Sequence, residues 1–325
     1  MRAVVCTELG PPSSLRVEEV PEPEPGEGQV VVDVHACGVN FPDTLIIQGR
    51  YQFQPPLPFS PGGEVAGVVS RIGPGVDGVR EGDRVIAVTG YGGFAEKVAV
   101  GASQVLPMPA AMDFRTGSAF LFTYATTIYS FRERASLASG ETLLVLGAAG
   151  GTGLSAVELG AALGARVIAA ASSEEKLALC REHGAGDGID YSKENLRERI
   201  KELTGGRGVD VCYDPVGGEL AEAAVRGMAW NGRYLVIGFT AGIPKIALNL
   251  VLLKSCQIVG VFWGAFHARD PVRHRALVDE LFALWEDGKI APHVSIAYPL
   301  ERAADALEDI LARRALGKIV IEPLA

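Results

Sequence analysis

The tightest constraint in this chain is a strand that runs straight into glycine. Leu143 to Leu146 is an apolar run too short for a helix, and Gly147 follows it directly. Such a run reads as a strand buried on both faces of a parallel sheet. Beyond the turn, Leu154, Val157, Leu159, Ala161 and Leu163 recur at the spacing of one helix face, until Gly164 stops them and Arg166 to Ala170 begins a second strand. The stretch from Glu141 to Lys176 is therefore expected to form a strand, a turn, a helix and a strand.

The turn contains Gly147, Ala148, Gly150, Gly151, Thr152 and Gly153. A backbone with so few side chains can approach a pyrophosphate, and the free amides and dipole of the following helix hold the anion. Against the pattern G-x-G-x-x-G, Ala148 takes the first glycine position while Gly150 and Gly153 fill the other two. The placement between strand and helix predicts a dinucleotide site, with a tight structural turn as the alternative. NAD sites of this kind carry Asp or Glu about 20 residues further on, against the ribose hydroxyls. This chain has Ala170, Ala171, Ser172 and Ser173 there, with Lys176 one helical turn beyond. Small hydroxyls and a cation suit a 2'-phosphate, so NADPH (NADP) is expected over NAD. Glu174 and Glu175 place negative charge nearby, and Ser172 or Ser173 would also cap a helix over Glu174 to Glu182, which is compatible with phosphate binding.

The chain has 325 residues, 48% of them hydrophobic, which is enough for two cored domains. Forty glycines and 7% aromatic residues fit an α/β protein with many turns. A net charge of -9 disfavours nucleic-acid and anionic-membrane partners. The N-terminus lacks the pattern of a signal peptide, and no apolar run is long enough to span a membrane. Cys6, Cys37, Cys180, Cys212 and Cys256 are scattered without a CxxC pair, so a reduced, cytoplasmic protein without a disulfide framework or cysteine zinc site is expected.

In chain order, Met1 to about Gly101 shows short strands punctuated by proline and glycine, and predicts an irregular all-β domain. Asp113 to Arg134 reads as a helix leading into the dinucleotide unit. After that unit, helices over Lys193 to Leu203 and Leu220 to Ala229 alternate with strands over Val209 to Tyr213, Tyr234 to Gly238 and Cys256 to Phe262. This alternation predicts a doubly wound parallel sheet. Arg273 to Gly288 is an amphipathic helix, and a strand, a helix over Ala303 to Arg314 and a last strand over Lys318 to Ile321 follow. The tail is expected to complete the first domain.

ACGVNFPD, PGGEVAGVV, GDRVIA, GGFAEKV, GAAGGTG, DPVGG and GKIVIEP, in this order, resemble the medium-chain dehydrogenase/reductase superfamily over essentially the whole chain. The resemblance implies a GroES-like catalytic domain built from both chain ends with a Rossmann domain inserted. The implied boundaries are 1–122 for the GroES-like part, 123–264 for the dinucleotide domain and 265–325 for the C-terminal return. Zinc-dependent members have a cysteine ligand where this chain has Asn40, and a GHE histidine where it has Gly62, Gly63 and Glu64; the structural zinc lobe is missing too. Without thiolate or imidazole there, no tetrahedral catalytic zinc is expected. The five histidines show no ligand spacing either.

The chain is thus similar to the zinc-free, zeta-crystallin-like quinone oxidoreductase branch, and QFQPPLPFSPGGE suggests a subgroup of it. In that branch an asparagine and a tyrosine stand near the nicotinamide, matching Asn40 and Tyr51. With no metal, hydrogen-bond donors must polarise the acceptor carbonyl, and the Asn40 amide and Tyr51 hydroxyl suit this. Taken alone, Asn40 also reads as a turn residue and Tyr51 as a packed aromatic. Further cofactor contacts are implied by the resemblance only: Thr126 at the phosphates, Tyr191 at the adenosine or its 2'-phosphate, Gly238 and Phe239 at the nicotinamide ribose, Phe262, Trp263 and Gly264 at the carboxamide, and Lys318 at the adenosine phosphate. Phe239, Phe262 and Trp263 read equally as core, and Lys318 as a strand-edge charge. The expected activity is hydride transfer from NADPH to a quinone or α,β-unsaturated carbonyl. An enoyl-CoA or enoyl-thioester reductase and a non-catalytic NADPH-binding crystallin-like protein are the alternatives. A homodimer through the Cys256 to Phe262 strand is implied by analogy.

Overall fold

A computed structural model describes residues 1–325. The chain divides into two compact units: unit 1 comprises Met1–Phe122 and Pro292–Ala325, and unit 2 comprises Thr123–Ala291.

The first part of unit 1 supplies β1 (Arg2–Val5), β2 (Arg16–Glu19), β3 (Gln29–Val39), β4 (Glu64–Ile72), β5 (Arg84–Val88), β6 (Lys97–Gly101) and β7 (Val105–Pro107). The valine-rich β3 is buried along nearly its whole length because it has partners on both edges, β4 on one and β6 then β15 on the other. β1 and β2 form a separate antiparallel pair. The all-strand expectation missed the helix Phe41–Ile46. Pro42 pre-sets its first turn, and the Asp43 carboxylate accepts the Asn40 N–H at 2.7 Å, so this start is made by local chemistry rather than by apolar periodicity.

Unit 2 contains β8 (Thr142–Leu146), β9 (Arg166–Ala171), β10 (Asp187–Asp190), β11 (Val209–Asp214), β12 (Met228–Val236) and β13 (Gln257–Gly260). They form one parallel sheet in the order β10-β9-β8-β11-β12-β13. Strand order reverses between β8 and β11, and a doubly wound sheet binds its ligand beyond the carboxyl ends of the strands at such a switch point. All five side chains of β8 are buried, as its apolar run requires.

Three expectations change. The helix from Leu220 ends at Arg226, and Met228 and Ala229 already belong to β12, where Met228 pairs in register with Val209. Asp113 to Arg134 is not one helix: Phe114–Ser118 is α-helical, and π-helical turns at Leu121–Ala125 and Ser130–Ala135 flank an α-helical turn, Thr126–Tyr129. Residues 265–291, given above to the returning tail, belong to unit 2. The helix Pro271–Glu286 buries Leu277, Val278 and Leu281 there, and Arg273 pairs with Glu133 at 2.6 Å.

The return itself consists of β14 (Val294–Pro299) and β15 (Lys318–Glu322), parallel to each other. β15 pairs antiparallel with the end of β3, Ile319 opposite Val39. Unit 1 thus has a seven-stranded sheet whose centre joins two distant parts of the sequence.

Candidate active site

The end of β3 carries a buried polar cluster. The Asn40 amide donates through Nδ2 to Gly38 O at 3.1 Å and to Glu64 Oε2 at 3.3 Å. Its Oδ1 accepts from Lys318 Nζ at 2.6 Å, and the same ammonium donates to Val39 O at 3.3 Å and lies 3.5 Å from Glu64 Oε2. Glu64 Oε1 accepts the Phe122 N–H at 3.0 Å. Asp43 Oδ1 accepts the Gly62 N–H at 3.3 Å. Relative exposures are 0% for Glu64, 3% for Asp43, 5% for Lys318 and 8% for Asn40, so the cluster is shielded from water.

Two carboxyl groups share one ammonium in this cluster. Burying a charge without a full partner is costly, so protonation is favoured. Burial pushes Asp43 up to about 7, against the backbone donors and Lys318, which pull the other way. Burial also raises Glu64, with Lys318 opposing. Cys37 is pushed well up, by burial first and then by Asp43, so it is a packed thiol and not a ready nucleophile. Tyr51 packs half-buried against the core of this unit, and burial followed by the charge of Asp43 raises its hydroxyl, keeping it a proton donor.

In unit 2 the glycine turn fits a pyrophosphate. Gly147 adopts φ +59°, and Ala148 N is tied to Ala170 O at 3.0 Å, which fixes the turn on the sheet. The helix Gly151–Ala162, whose first turn holds Gly151, Thr152 and Gly153, has Gly150 at its N-cap and so no side chain to accept its amides. By contrast, Ser173, Asn195 and Asp270 cap their helices with side-chain oxygens. A Cβ on Gly153 would sit 2.2 Å from Gly147 O, whereas one on Gly150 would meet nothing closer than 3.5 Å. Gly153 is thus required by packing, and Gly150 leaves its space open.

At the end of β9, Lys176 Nζ donates to Ser172 Oγ at 3.2 Å and Ser173 Oγ accepts Lys176 N at 3.3 Å. Tyr191 N is bonded to Ala171 O at 3.0 Å, which brings Tyr191 to the same strand end. Glu174, whose charge opposed a phosphate there, is paired with Arg181 at 2.7 Å. Ser172, Ser173, Lys176 and Tyr191 are therefore brought together.

At the end of β11, Asp214 Oδ1 accepts from Val216 N at 2.7 Å and Gly217 N at 2.8 Å, while Tyr234 OH donates to Oδ2. Asp214 O accepts Gly238 N at 3.3 Å, and Ala241 N donates to Val216 O at 2.8 Å, so the loops after β11 and β12 are joined. Gly238 lies at this junction and Phe239 beside it is exposed. Thr126 is half-buried on its own short helical turn.

Phe262 and Trp263 differ. Phe262 is exposed, but the Trp263 indole is buried against His267 and His274, with Nε1 3.4 Å from His274 Nδ1. Burial, followed by repulsion from His267 and Arg275, lowers His274 to about 4. The Trp263 ring is thus engaged in the unit's own core, and Gly264 opens the helix that holds it.

Lys318 requires a correction. Its ammonium is committed to Asn40, Val39 and Glu64 within unit 1, not held free for an adenosine phosphate. Glu64, Asp43 and Asp214 were not expected as site residues, although all three stand inside the segments PGGEVAGVV, ACGVNFPD and DPVGG. A carboxylate within an otherwise apolar or glycine-rich segment was the available signal. No group of three or more His, Cys, Asp and Glu side chains stands together as a metal site.

Residues 26–110 match the alcohol dehydrogenase GroES-like domain, and residues 151–279 match the zinc-binding dehydrogenase family. A quinone oxidoreductase-like protein 2 homolog from Nematostella vectensis is 40% identical over 98% of this chain and 88% of its own length. A quinone oxidoreductase of Pseudomonas aeruginosa is 36% identical over 97% of each chain. Among solved structures, Escherichia coli quinone oxidoreductase complexed with NADPH superposes with a TM-score of 0.92 at 30% identity, over 99% of this chain and 100% of that one. The chain belongs to the medium-chain dehydrogenase/reductase superfamily, in its quinone oxidoreductase branch.

Proposed function

We propose that this oxidoreductase uses NADPH to reduce a quinone or an α,β-unsaturated carbonyl. The observation that carries the cofactor is the set of Ser172, Ser173, Lys176 and Tyr191 at one strand end, where hydroxyls and a cation replace the usual carboxylate. The uncapped amides after Gly150 hold the pyrophosphate, and Thr126, Gly238, Phe239, Phe262 and Gly264 complete the contacts. When bound, NADPH supplies the hydride. An NADPH complex of the similar Escherichia coli enzyme supports this cofactor.

The chain's own task is to polarise the acceptor. Tyr51 donates its hydroxyl hydrogen to the acceptor oxygen, and its raised pKa keeps that hydrogen in place. Asn40 contributes its amide: of its two bonds, the 3.3 Å contact with Glu64 is the longer, and a substrate oxygen takes it over at least cost. Zinc has no part in this reading, which is supported by the ammonium on which Asn40 Oδ1 and Glu64 converge. A cytoplasmic homodimer is part of the same reading. β13 is an edge strand with Ile258 exposed, and Trp230, Leu248, Leu252 and Leu253 are exposed apolar residues of the same unit. No helix is long and apolar enough to cross a membrane.

Steady-state oxidation of NADPH and NADH with 1,4-benzoquinone, 9,10-phenanthrenequinone, a simple enone and crotonyl-CoA, with and without a chelator, tests this reading. Chelator-insensitive turnover that prefers NADPH and a quinone or enone is expected, with Tyr51→Phe lowering kcat. Turnover of the CoA ester alone would replace the acceptor class, and NADPH binding without any turnover would replace catalysis by binding.

A further inference from the structure

The Asn40 carboxamide has its orientation decided by charge. An ammonium can only donate, so the Asn40 atom 2.6 Å from Lys318 Nζ must be the oxygen. Turning the amide over would set its NH2 against the ammonium and take its hydrogens away from Gly38 O and Glu64. The ammonium is itself fixed by three oxygens, those of Val39, Asn40 and Glu64, and is 5% exposed. Only with the amide this way round do its hydrogens point to Gly38 O and Glu64.

We infer that Lys318 is a positioning residue, an internal cation that fixes the Asn40 carboxamide as a hydrogen donor, and not a cofactor contact. The catalytic consequence rests on the NADPH reductase reading; the orientation does not. Lys318 reaches Asn40 across the β15–β3 pairing, where Ile319 lies opposite Val39, so the strand register itself delivers the charge.

The test combines three measurements on the full chain: NADPH affinity, kcat with the best acceptor, and the solvent exchange and chemical shift of the Asn40 side-chain amide, assigned through Asn40→Asp. In Lys318→Met, NADPH affinity is expected to stay unchanged, the amide signals to move and exchange faster, and kcat to fall on the order of 100-fold, as misplacement of a reacting group does. Lys318→Met leaves Glu64 without its ammonium and could unfold the protein, so Glu64→Gln/Lys318→Met is the second variant. It removes both charges; melting temperature recovers, but the carboxamide introduced at position 64 presents an N–H to Asn40, the Asn40 amide turns over and kcat stays low. Weaker NADPH binding with an unmoved amide would overturn the inference in favour of a phosphate contact. Recovery of kcat together with stability in the double variant would reduce Lys318 to charge balance. If the wild-type protein turns over none of the acceptors, the reductase reading fails, and the amide signals and NADPH affinity still decide the role of Lys318.

Discussion

Lys176 Nζ donates to Ser172 Oγ over 3.2 Å, which aims a cation and a hydroxyl at one point beyond β9. A hydrogen bond to a charged group is worth about 1.5 to 3 kcal/mol. Lys176→Ala is therefore expected to lower kcat/KM for NADPH by about 10- to 100-fold while leaving NADH nearly unchanged. Equal losses with both cofactors would remove Lys176 from 2'-phosphate recognition.

Two glycines of the same turn separate packing from binding. Gly153→Ala puts a methyl group 2.2 Å from Gly147 O, so the turn must move, and a large loss of melting temperature with loss of NADPH affinity is expected. Gly150→Ala meets no atom closer than 3.5 Å and should fold normally, losing only NADPH affinity, because the methyl group enters the space of the phosphates. Thermal melting alongside NADPH fluorescence titration distinguishes the two; unchanged affinity in Gly150→Ala would place the pyrophosphate elsewhere.

Asp43 links stability to pH. Its carboxyl is raised from 3.8 to about 7 in the fold. Between those values the folded protein keeps a proton that the unfolded chain has released, so stability falls as pH rises from about 4 to about 7 and levels off above. Asp43→Asn removes that dependence and still accepts the Asn40 N–H. Its unfolding free energy relative to the wild type, followed by denaturant titration at each pH, should climb across this window, reaching an advantage on the order of a few kcal/mol. A constant difference from pH 4 to pH 8 would show that Asp43 ionises in the fold as it does in water.

The edge strand β13 gives a prediction about assembly. Ile258→Arg and Leu252→Glu each place a charge on the exposed apolar residues of this unit. Light scattering should show a dimer for the wild type and a monomer for the double variant, with NADPH affinity retained. A wild-type monomer at micromolar concentration would sink the homodimer.

Local rules made much of the fold readable. The apolar run of β8, the glycines after it and the helix Glu174–Glu182 follow from periodicity and capping, and the structure places these where the residues predict. Tertiary pairing is not local, and there the reading failed. Met228 and Ala229 look helical in sequence but become β12 because β11 offers a partner at Val209. The π-helical turns at Leu121–Ala125 and Ser130–Ala135 carry no periodic signal. At the site, Asn40, Tyr51 and the glycines came from motifs, whereas the Lys318 contact with Asn40 spans 278 residues and no spacing rule reaches that far.

The same separation imposes an order of synthesis. Lys318 stands 254 residues after Glu64, so the ribosome makes every strand of unit 2 before the ammonium exists. Unit 2 is one continuous segment and can close as soon as it emerges. The nascent first part of unit 1 waits, with Glu64 and Asp43 lacking their only cation and β3 lacking its β15 partner. The last strand to be made thus completes the buried cluster of Asn40, Glu64 and Lys318, and a chain stopped short of Lys318 would carry a complete parallel sheet in unit 2 and an incomplete valine-rich sheet in unit 1.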